Sequence, residues 1–126
     1  MIIGGGPAGT NAAEELRKLE SEAEIILISD ENYPFYKRTK ITKMISKSCV
    51  EEDLFIKGKN FYDDIRVDFR LGHVSKVIPK LNQVILNDKS IISYDFLLVA
   101  SGGKPIVLPW QGLNLRLFCL DRRRGR

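Results

Sequence analysis

The chain has 126 residues, of which 44% are hydrophobic and 29% charged, a composition that suits one globular domain of ordinary size. No apolar run approaches the ~18 residues that span a membrane, and no secretory leader stands before the first strand. We therefore expect a cytoplasmic protein without membrane contact. Two cysteines and one histidine predict neither a disulfide framework nor a metal site.

The net charge of +4 belongs to the end of the chain. Residues 116–126 hold five arginines and one aspartate, whereas residues 1–115 carry fifteen basic and fifteen acidic side chains. A terminal basic run is usually solvated, so the charge does not indicate nucleic-acid binding. We interpret residues 113–126 as an irregular, arginine-rich tail that follows one domain over residues 1–112.

The first predicted elements are a short strand, a helix and a second strand. The apolar stub at residues 1–3 leads through glycines into a helical pattern over residues 8–20, where Glu14 and Lys18 can pair on the outer face. Residues 25–28 are branched and apolar, typical of a strand buried on both faces. The chain thus opens as β–α–β with a right-handed crossover. The apolar stripe of the helix comprises Ala12, Ala13, Leu16 and Leu19.

The middle of the chain predicts shorter elements. An ordered polar and aromatic loop at residues 30–43 overlaps a short helix at 40–47, and another short helix covers 60–65. A strand at 67–71 precedes three short strands around Val77, Val84 and Ile92, whose turns suggest an antiparallel meander. Residues 96–100 predict a second buried parallel strand. The pattern fades from residue 105 onward, apart from a turn around Trp110.

The glycines after the first strand form the pattern G-x-G-x-x-G. Gly4 permits a tight turn, Gly6 lets the backbone approach a pyrophosphate, and Gly9 lets the helix lie close to the strand. The N–H groups and the positive end of the helix favour a diphosphate anion. A plain glycine-rich turn is the alternative, but the strand–turn–helix context favours a dinucleotide-binding, Rossmann-like α/β fold.

An acidic residue is expected at the end of the second strand, where it would hydrogen-bond the adenosine ribose. Asp30 and Glu31 both follow that strand, and Glu31 lies about twenty residues beyond the last glycine. Glu31 is therefore favoured, and its charge would repel a 2′-phosphate. A capping acid is the alternative interpretation.

Further motifs follow these in order along the chain: Tyr36-x-Arg38, Ile41-Thr42-Lys43, Tyr94-Asp95 and the segment from Leu97 to Gly102. Together they resemble the flavoprotein oxidoreductases with two dinucleotide folds, in the pyridine nucleotide-disulfide oxidoreductase superfamily. The similarity covers residues 1–112, and the branch is that of the ferredoxin and rubredoxin reductases, which lacks a redox-active disulfide.

The resemblance implies FAD at the first site. In it Glu31 would hold the ribose, Arg38 and Lys43 would line the flavin side, and the backbone of Val74 would face adenine. A solvated basic loop and an ordinary strand valine are the alternatives. No catalytic residue or metal ligand is implied. The implied cofactor-binding residues are Gly4, Gly6, Pro7, Ala8, Gly9, Glu31, Arg38, Lys43, Val74, Ala100, Ser101 and Gly102.

The remaining reactive side chains favour structural roles. Cys49 lies beyond the loop that would carry a catalytic cysteine, so we interpret it as a structural thiol. His73 stands at a strand start, where an edge histidine is favoured over a proton shuttle. Cys119 lies in the tail.

The resemblance implies an NAD(P)H-dependent oxidoreductase that passes electrons from reduced nicotinamide through FAD to an acceptor. NAD(P)H would be the donor only with a second domain or subunit, and a redox partner protein and a homo-oligomer are further expected partners. One alternative is a non-catalytic nucleotide-binding module, or a truncated remnant without the NAD(P)H domain. A simple NAD-binding dehydrogenase fragment is another, which the predicted meander disfavours.

Overall fold

The computed structural model describes residues 1–58 and 60–103. The predicted tail, the boundary at residue 112, Trp110 and Cys119 lie outside these residues. Within them, no helix has the length and apolar character needed to cross a bilayer. The helices are α1 (Pro7–Leu19), α2 (Ile41–Ile45) and α3 (Phe61–Asp64), and the strands are β1 (Ile2–Ile3), β2 (Ile25–Ser29), β3 (Val67–Leu71), β4 (Val74–Ile78), β5 (Gln83–Leu86), β6 (Ile91–Ser93) and β7 (Leu98–Val99).

A parallel sheet forms the centre, with its strands in the order β3-β2-β1-β7. Ile2 of β1 lies opposite Leu27 of β2 on one side and Leu98 of β7 on the other. The β2–β3 pairing runs in register from Ile25 opposite Val67 to the ends of both strands. This arrangement confirms the predicted α/β fold with a parallel sheet.

The predicted meander is also confirmed. Strands β4, β5 and β6 form a separate antiparallel sheet in that order. Val84 at its centre is fully buried and lies opposite Val77 on one neighbour and Ile92 on the other. A short 3-10 turn over Pro79–Leu81 and the left-handed residue Asn82 reverse the chain between β4 and β5.

Two hydrophobic clusters cover the two faces of the parallel sheet. Alternate residues of a strand point to opposite faces. Leu27 accordingly packs with Ala13 of α1 and Tyr62 of α3, whereas its neighbour Ile28 packs with Val84 of the meander. The sheet is therefore a middle layer between the helices and the meander.

On the apolar stripe of α1, Ala13 is buried and Ala12 packs against the same cluster, whereas Leu16 and Leu19 are 40% and 77% exposed. One prediction of burial was wrong. The strand predicted at residues 96–100 forms only as Leu98–Val99, and both side chains are exposed. It pairs with β1 alone at the edge of the described sheet, so one of its sides lacks the neighbouring strand that burial would require.

Candidate functional site

A cavity of about 650 Å³ lies where β1, β2 and β7 end. The carboxyl ends of parallel strands meet at one edge of a sheet, and ligands of such folds bind in the crevice outside that edge. Three segments that are distant in sequence therefore form its walls: the glycine turn, the residues after β2 and the turn after β7. The lining comprises residues 4–8, 29–31, 33–39 and 100–103.

The glycine turn is shaped by backbone contacts on its inner side. Gly4 has φ +113, and its N–H donates to the Ile28 carbonyl oxygen over 2.8 Å. A Cβ on Gly4 would collide with the carbonyl of Ala100, and one on Gly9 would collide with the carbonyl of Gly4. Gly6 differs, because a Cβ there would have no atom within 4 Å and would instead occupy the cavity. Backbone contacts therefore require glycine at positions 4 and 9, whereas Gly6 leaves room for a ligand.

The N-terminus of α1 opens onto this cavity. Gly6 is the N-cap in an extended conformation and has no side chain to cap the helix, and Pro7 is the first helical residue. The N–H groups in the first turn of an α-helix lack helical acceptors, and the helix dipole places partial positive charge there. Gly6 and Pro7 both line the cavity. The arrangement suits an anion, and a phosphate above all.

The two acidic residues after β2 have different partners. Glu31 forms an ion pair with Arg38, whose Nη2 lies 3.1 Å from the carboxylate, and the Glu31 N–H donates to Ser29 Oγ over 3.1 Å. The Asp30 carboxylate lies 3.7 Å from Nδ1 of His73. Glu31 and Arg38 thus face one another at the wall of the large cavity.

Nine of the twelve predicted cofactor-binding residues line the large cavity, and three do not. Gly9 lies buried under the glycine turn. Val74 lines a smaller cavity of about 90 Å³, which also contains His73 and shares Gly4, Asp30 and Ser101 with the larger one. Lys43 is exposed on α2 and lines neither cavity.

Sequence reasoning missed the residues that form the remaining wall and those that support it. Tyr33, Pro34 and Phe35 line the cavity, and the aromatic run after the second strand was a signal that could have located them. Thr10 and Tyr62 lie buried next to the glycine turn, with 2.7 Å between their hydroxyl oxygens. No local motif marks this pair, because 52 residues separate them in sequence.

Cys49 is half-buried, and its thiol lies 3.8 Å from the carbonyl oxygen of Lys40. It lines neither cavity. Among the described residues, no group of three or more histidine, cysteine or acidic side chains could hold a metal ion.

The sequence of the chain matches a known protein family. The sequence profile of the pyridine nucleotide-disulphide oxidoreductases matches residues 1–123. The chain belongs to this family. The match confirms the resemblance recognised in the motifs, and it extends past residue 112, the expected end of the similar region.

Relatives with known functions point to one branch of the family. The ferredoxin–NAD(+) reductase component of a 3-phenylpropionate/cinnamic acid dioxygenase from Photorhabdus laumondii is 31% identical, over 82% of this chain and 27% of its own length. Rhodocoxin reductase from Rhodococcus erythropolis is 33% identical, over 91% of this chain and 27% of its own. These two sequence similarities support the ferredoxin reductase branch of the family.

A solved structure agrees with these relatives. A ferredoxin reductase from Rhodopseudomonas palustris is 25% identical and superposes with a TM-score of 0.80, covering 91% of this chain and 29% of that protein. The chain therefore matches the N-terminal, dinucleotide-binding portion of this family of reductases. It spans between a quarter and a third of the length of these three relatives.

Proposed function

We propose that the chain is the FAD-binding portion of an NAD(P)H-dependent flavoprotein oxidoreductase, which passes electrons from reduced nicotinamide through FAD to an acceptor. The observation that carries the proposal is the convergence of the glycine turn, Glu31 and residues 100–102 on one cavity at the edge of the parallel sheet. Membership of the oxidoreductase family favours FAD among the dinucleotides that such a cavity could take.

The residues present fit the diphosphate of FAD. Gly6 leaves open space where any other residue would place a Cβ, and the N-terminus of α1 supplies N–H donors and partial positive charge. Glu31 also lines the cavity, and its carboxylate oxygens would accept hydrogen bonds from the ribose hydroxyls. The volume of about 650 Å³ falls within the usual range for cofactor sites.

When bound, FAD would supply the hydride and electron chemistry, and the protein would contribute binding, orientation and electrostatics. The glycine turn would hold the diphosphate, and Glu31 would orient the adenosine end. Arg38 would supply positive charge on the flavin side, and the aromatic side chains after β2 would shield that side from water. Roles for Lys43 near the flavin and for Val74 near the adenine stay predictions, since neither residue lines the large cavity.

The proposed partners follow from the relatives. The name of the Photorhabdus relative supports a small electron-transfer protein such as a ferredoxin as the acceptor. NAD(P)H would require a further domain or a completing subunit, because the relatives are three to four times longer than this chain. Homo-oligomerisation and a cytoplasmic location stay predictions from the sequence.

The proposal is tested by mixing the purified chain with excess FAD, removing free flavin by gel filtration and recording the visible spectrum. We expect flavin absorbance to elute with the wild-type protein and to be lost in Gly6→Ala, whose Cβ would enter the cavity. Asn11→Ala, an exposed change elsewhere on α1, serves as the control and should retain FAD.

Three outcomes would count against the proposal. A folded wild-type chain that releases all FAD would refute it, and so would tighter binding of NAD than of FAD by calorimetry, which would favour a dehydrogenase fragment. FAD retention that is equal in Gly6→Ala and wild type would place the flavin elsewhere. Reduction of a dye by NAD(P)H with the chain alone would contradict the non-catalytic alternative.

A further inference from the structure

Two buried hydroxyl groups lie next to the glycine turn. Thr10 of α1 is 1% exposed and Tyr62 of α3 is 4% exposed, and neither residue lines the cavity. Their hydroxyl oxygens are 2.7 Å apart. The ring of Tyr62 stacks on Phe69 with 4.8 Å between the ring centroids, so the sheet and α3 together fix the position of the phenol.

The hydroxyl of Thr10 links Tyr62 to the carbonyl oxygen of Gly5 through two hydrogen bonds. Thr10 Oγ1 donates to the Gly5 carbonyl oxygen over 3.3 Å. The 2.7 Å contact between Thr10 and Tyr62 fits either hydroxyl as the donor. A threonine hydroxyl has a single proton, so when Thr10 donates to Gly5 the Tyr62 hydroxyl donates to Thr10. One chain of hydrogen bonds thus runs from the buried phenol of Tyr62 through Thr10 to the glycine turn.

This chain acts on the peptide between Gly5 and Gly6. The peptide is trans, as are all those in the described residues, so the Gly5 carbonyl and the Gly6 N–H point in opposite directions. Thr10 holds the Gly5 oxygen toward the buried side, which turns the Gly6 N–H toward the cavity that Gly6 lines. Glycine on both sides of the peptide makes a flip sterically possible, and a flipped peptide would present its oxygen to the cavity.

We propose that Thr10 and Tyr62 are positioning residues for a diphosphate-containing ligand, because they hold the Gly5–Gly6 peptide with its N–H toward the cavity. The inference rests on the proposed function for the choice of ligand. A carbonyl oxygen facing the diphosphate would repel it, whereas the N–H donates to it.

The test uses the full chain and ADP as the probe, with affinity measured by calorimetry. Thr10→Val and Tyr62→Phe keep the shape of each side chain and remove its hydroxyl, and each should weaken ADP binding about tenfold. The double variant should be little weaker than either single variant, since all three interrupt the same chain. Thr10→Ser, which keeps the hydroxyl, should bind ADP with the affinity of the wild-type chain. Tyr94→Phe is the matched control, because Tyr94 packs against the cluster on the other face of the sheet, away from Thr10 and Tyr62.

A second measurement reports the orientation of the Gly5–Gly6 peptide in the ligand-free protein. In NMR spectra, Thr10→Val and Tyr62→Phe should shift the Gly5 carbonyl ¹³C and Gly6 amide ¹⁵N resonances, whereas Thr10→Ser and Tyr94→Phe should leave them in place. A purely structural role would alter the thermal midpoint without moving these two resonances selectively.

The outcomes separate the two proposals. Loss of FAD from the wild-type chain while ADP binding depends on Thr10 would refute the proposed cofactor and support the positioning role. Unchanged Gly5 and Gly6 resonances in a folded Tyr62→Phe variant would overturn the positioning role, whether or not FAD binds. Equal ADP affinities in wild type, Thr10→Val and Tyr62→Phe would overturn it as well.

Discussion

The Arg38 guanidinium lies 3.1 Å from the Glu31 carboxylate, so two residues expected to contact opposite parts of the cofactor contact each other. Both side chains are substantially exposed, at 60% and 37%, and an ion pair of this kind contributes at most about 1 kcal/mol to stability. The pair is therefore better suited to placing the carboxylate at the cavity wall than to holding the fold together. Its two members can exchange this contact for contacts to a ligand at little cost.

Replacing Glu31 by Gln should weaken nucleotide binding without affecting the fold. The amide has nearly the same shape but lacks the charge that strengthens hydrogen bonds to ribose hydroxyls. We expect about a tenfold loss of FAD and ADP affinity by calorimetry and less than about 1 kcal/mol of change in the free energy of unfolding. Asp30→Asn is the matched control at the other acid. A larger effect from Asp30→Asn would assign the ribose to Asp30.

Alanine at the last glycine of the motif should destabilise the protein strongly, whereas alanine at the middle glycine should change its stability little. A Cβ on Gly9 meets the carbonyl of Gly4, a backbone atom that cannot move aside, but one on Gly6 meets nothing. We expect Gly9→Ala to cost about 2 kcal/mol or more of the free energy of unfolding, and Gly6→Ala less than about 1 kcal/mol. Urea titration measures both. Equal losses would mean that α1 can shift to accommodate the extra methyl group.

Two leucines that follow strong apolar patterns should differ widely in their contribution to stability. Leu27 is fully buried in the middle of β2, whereas Leu19 at the end of α1 is 77% exposed. Leu27→Ala should destabilise by about 2–5 kcal/mol, and Leu19→Ala by less than about 0.5 kcal/mol. Denaturant unfolding of both variants measures the two losses in the free energy of unfolding. A loss at Leu19 comparable to that at Leu27 would show that Leu19 is covered in solution by something that the described residues do not include.

The local elements were predictable because their signals are local. The branched run at residues 25–28 predicted β2, the glycine spacing predicted the turn before α1, and the turn residues after Ile78 predicted the meander. Burial at Leu19 and Leu98 was not predictable, since periodicity reports which residues share a face but not what covers that face. The sequence also could not show that Glu31 and Arg38 pair, or that Tyr62 reaches Thr10, because those contacts depend on how separate segments meet in space.

High pH should destabilise the fold through Tyr62. Burial raises the pKa of its phenol above the ordinary value, and this effect exceeds the opposite effects of the hydrogen bonds to Thr10 and the Phe35 backbone. Because the folded-state pKa is the higher one, the neutral phenol stabilises the fold fully below the unfolded-state pKa near pH 10, and that stabilisation is lost as pH rises through the folded-state pKa. The free energy of unfolding, measured with urea from pH 8 to pH 11, should therefore fall less steeply above about pH 10 in Tyr62→Phe than in wild type. Tyr94→Phe should follow the wild-type curve, since it leaves the buried phenol in place. Parallel curves for Tyr62→Phe and wild type would mean that the phenol of Tyr62 titrates alike in the folded and unfolded chain.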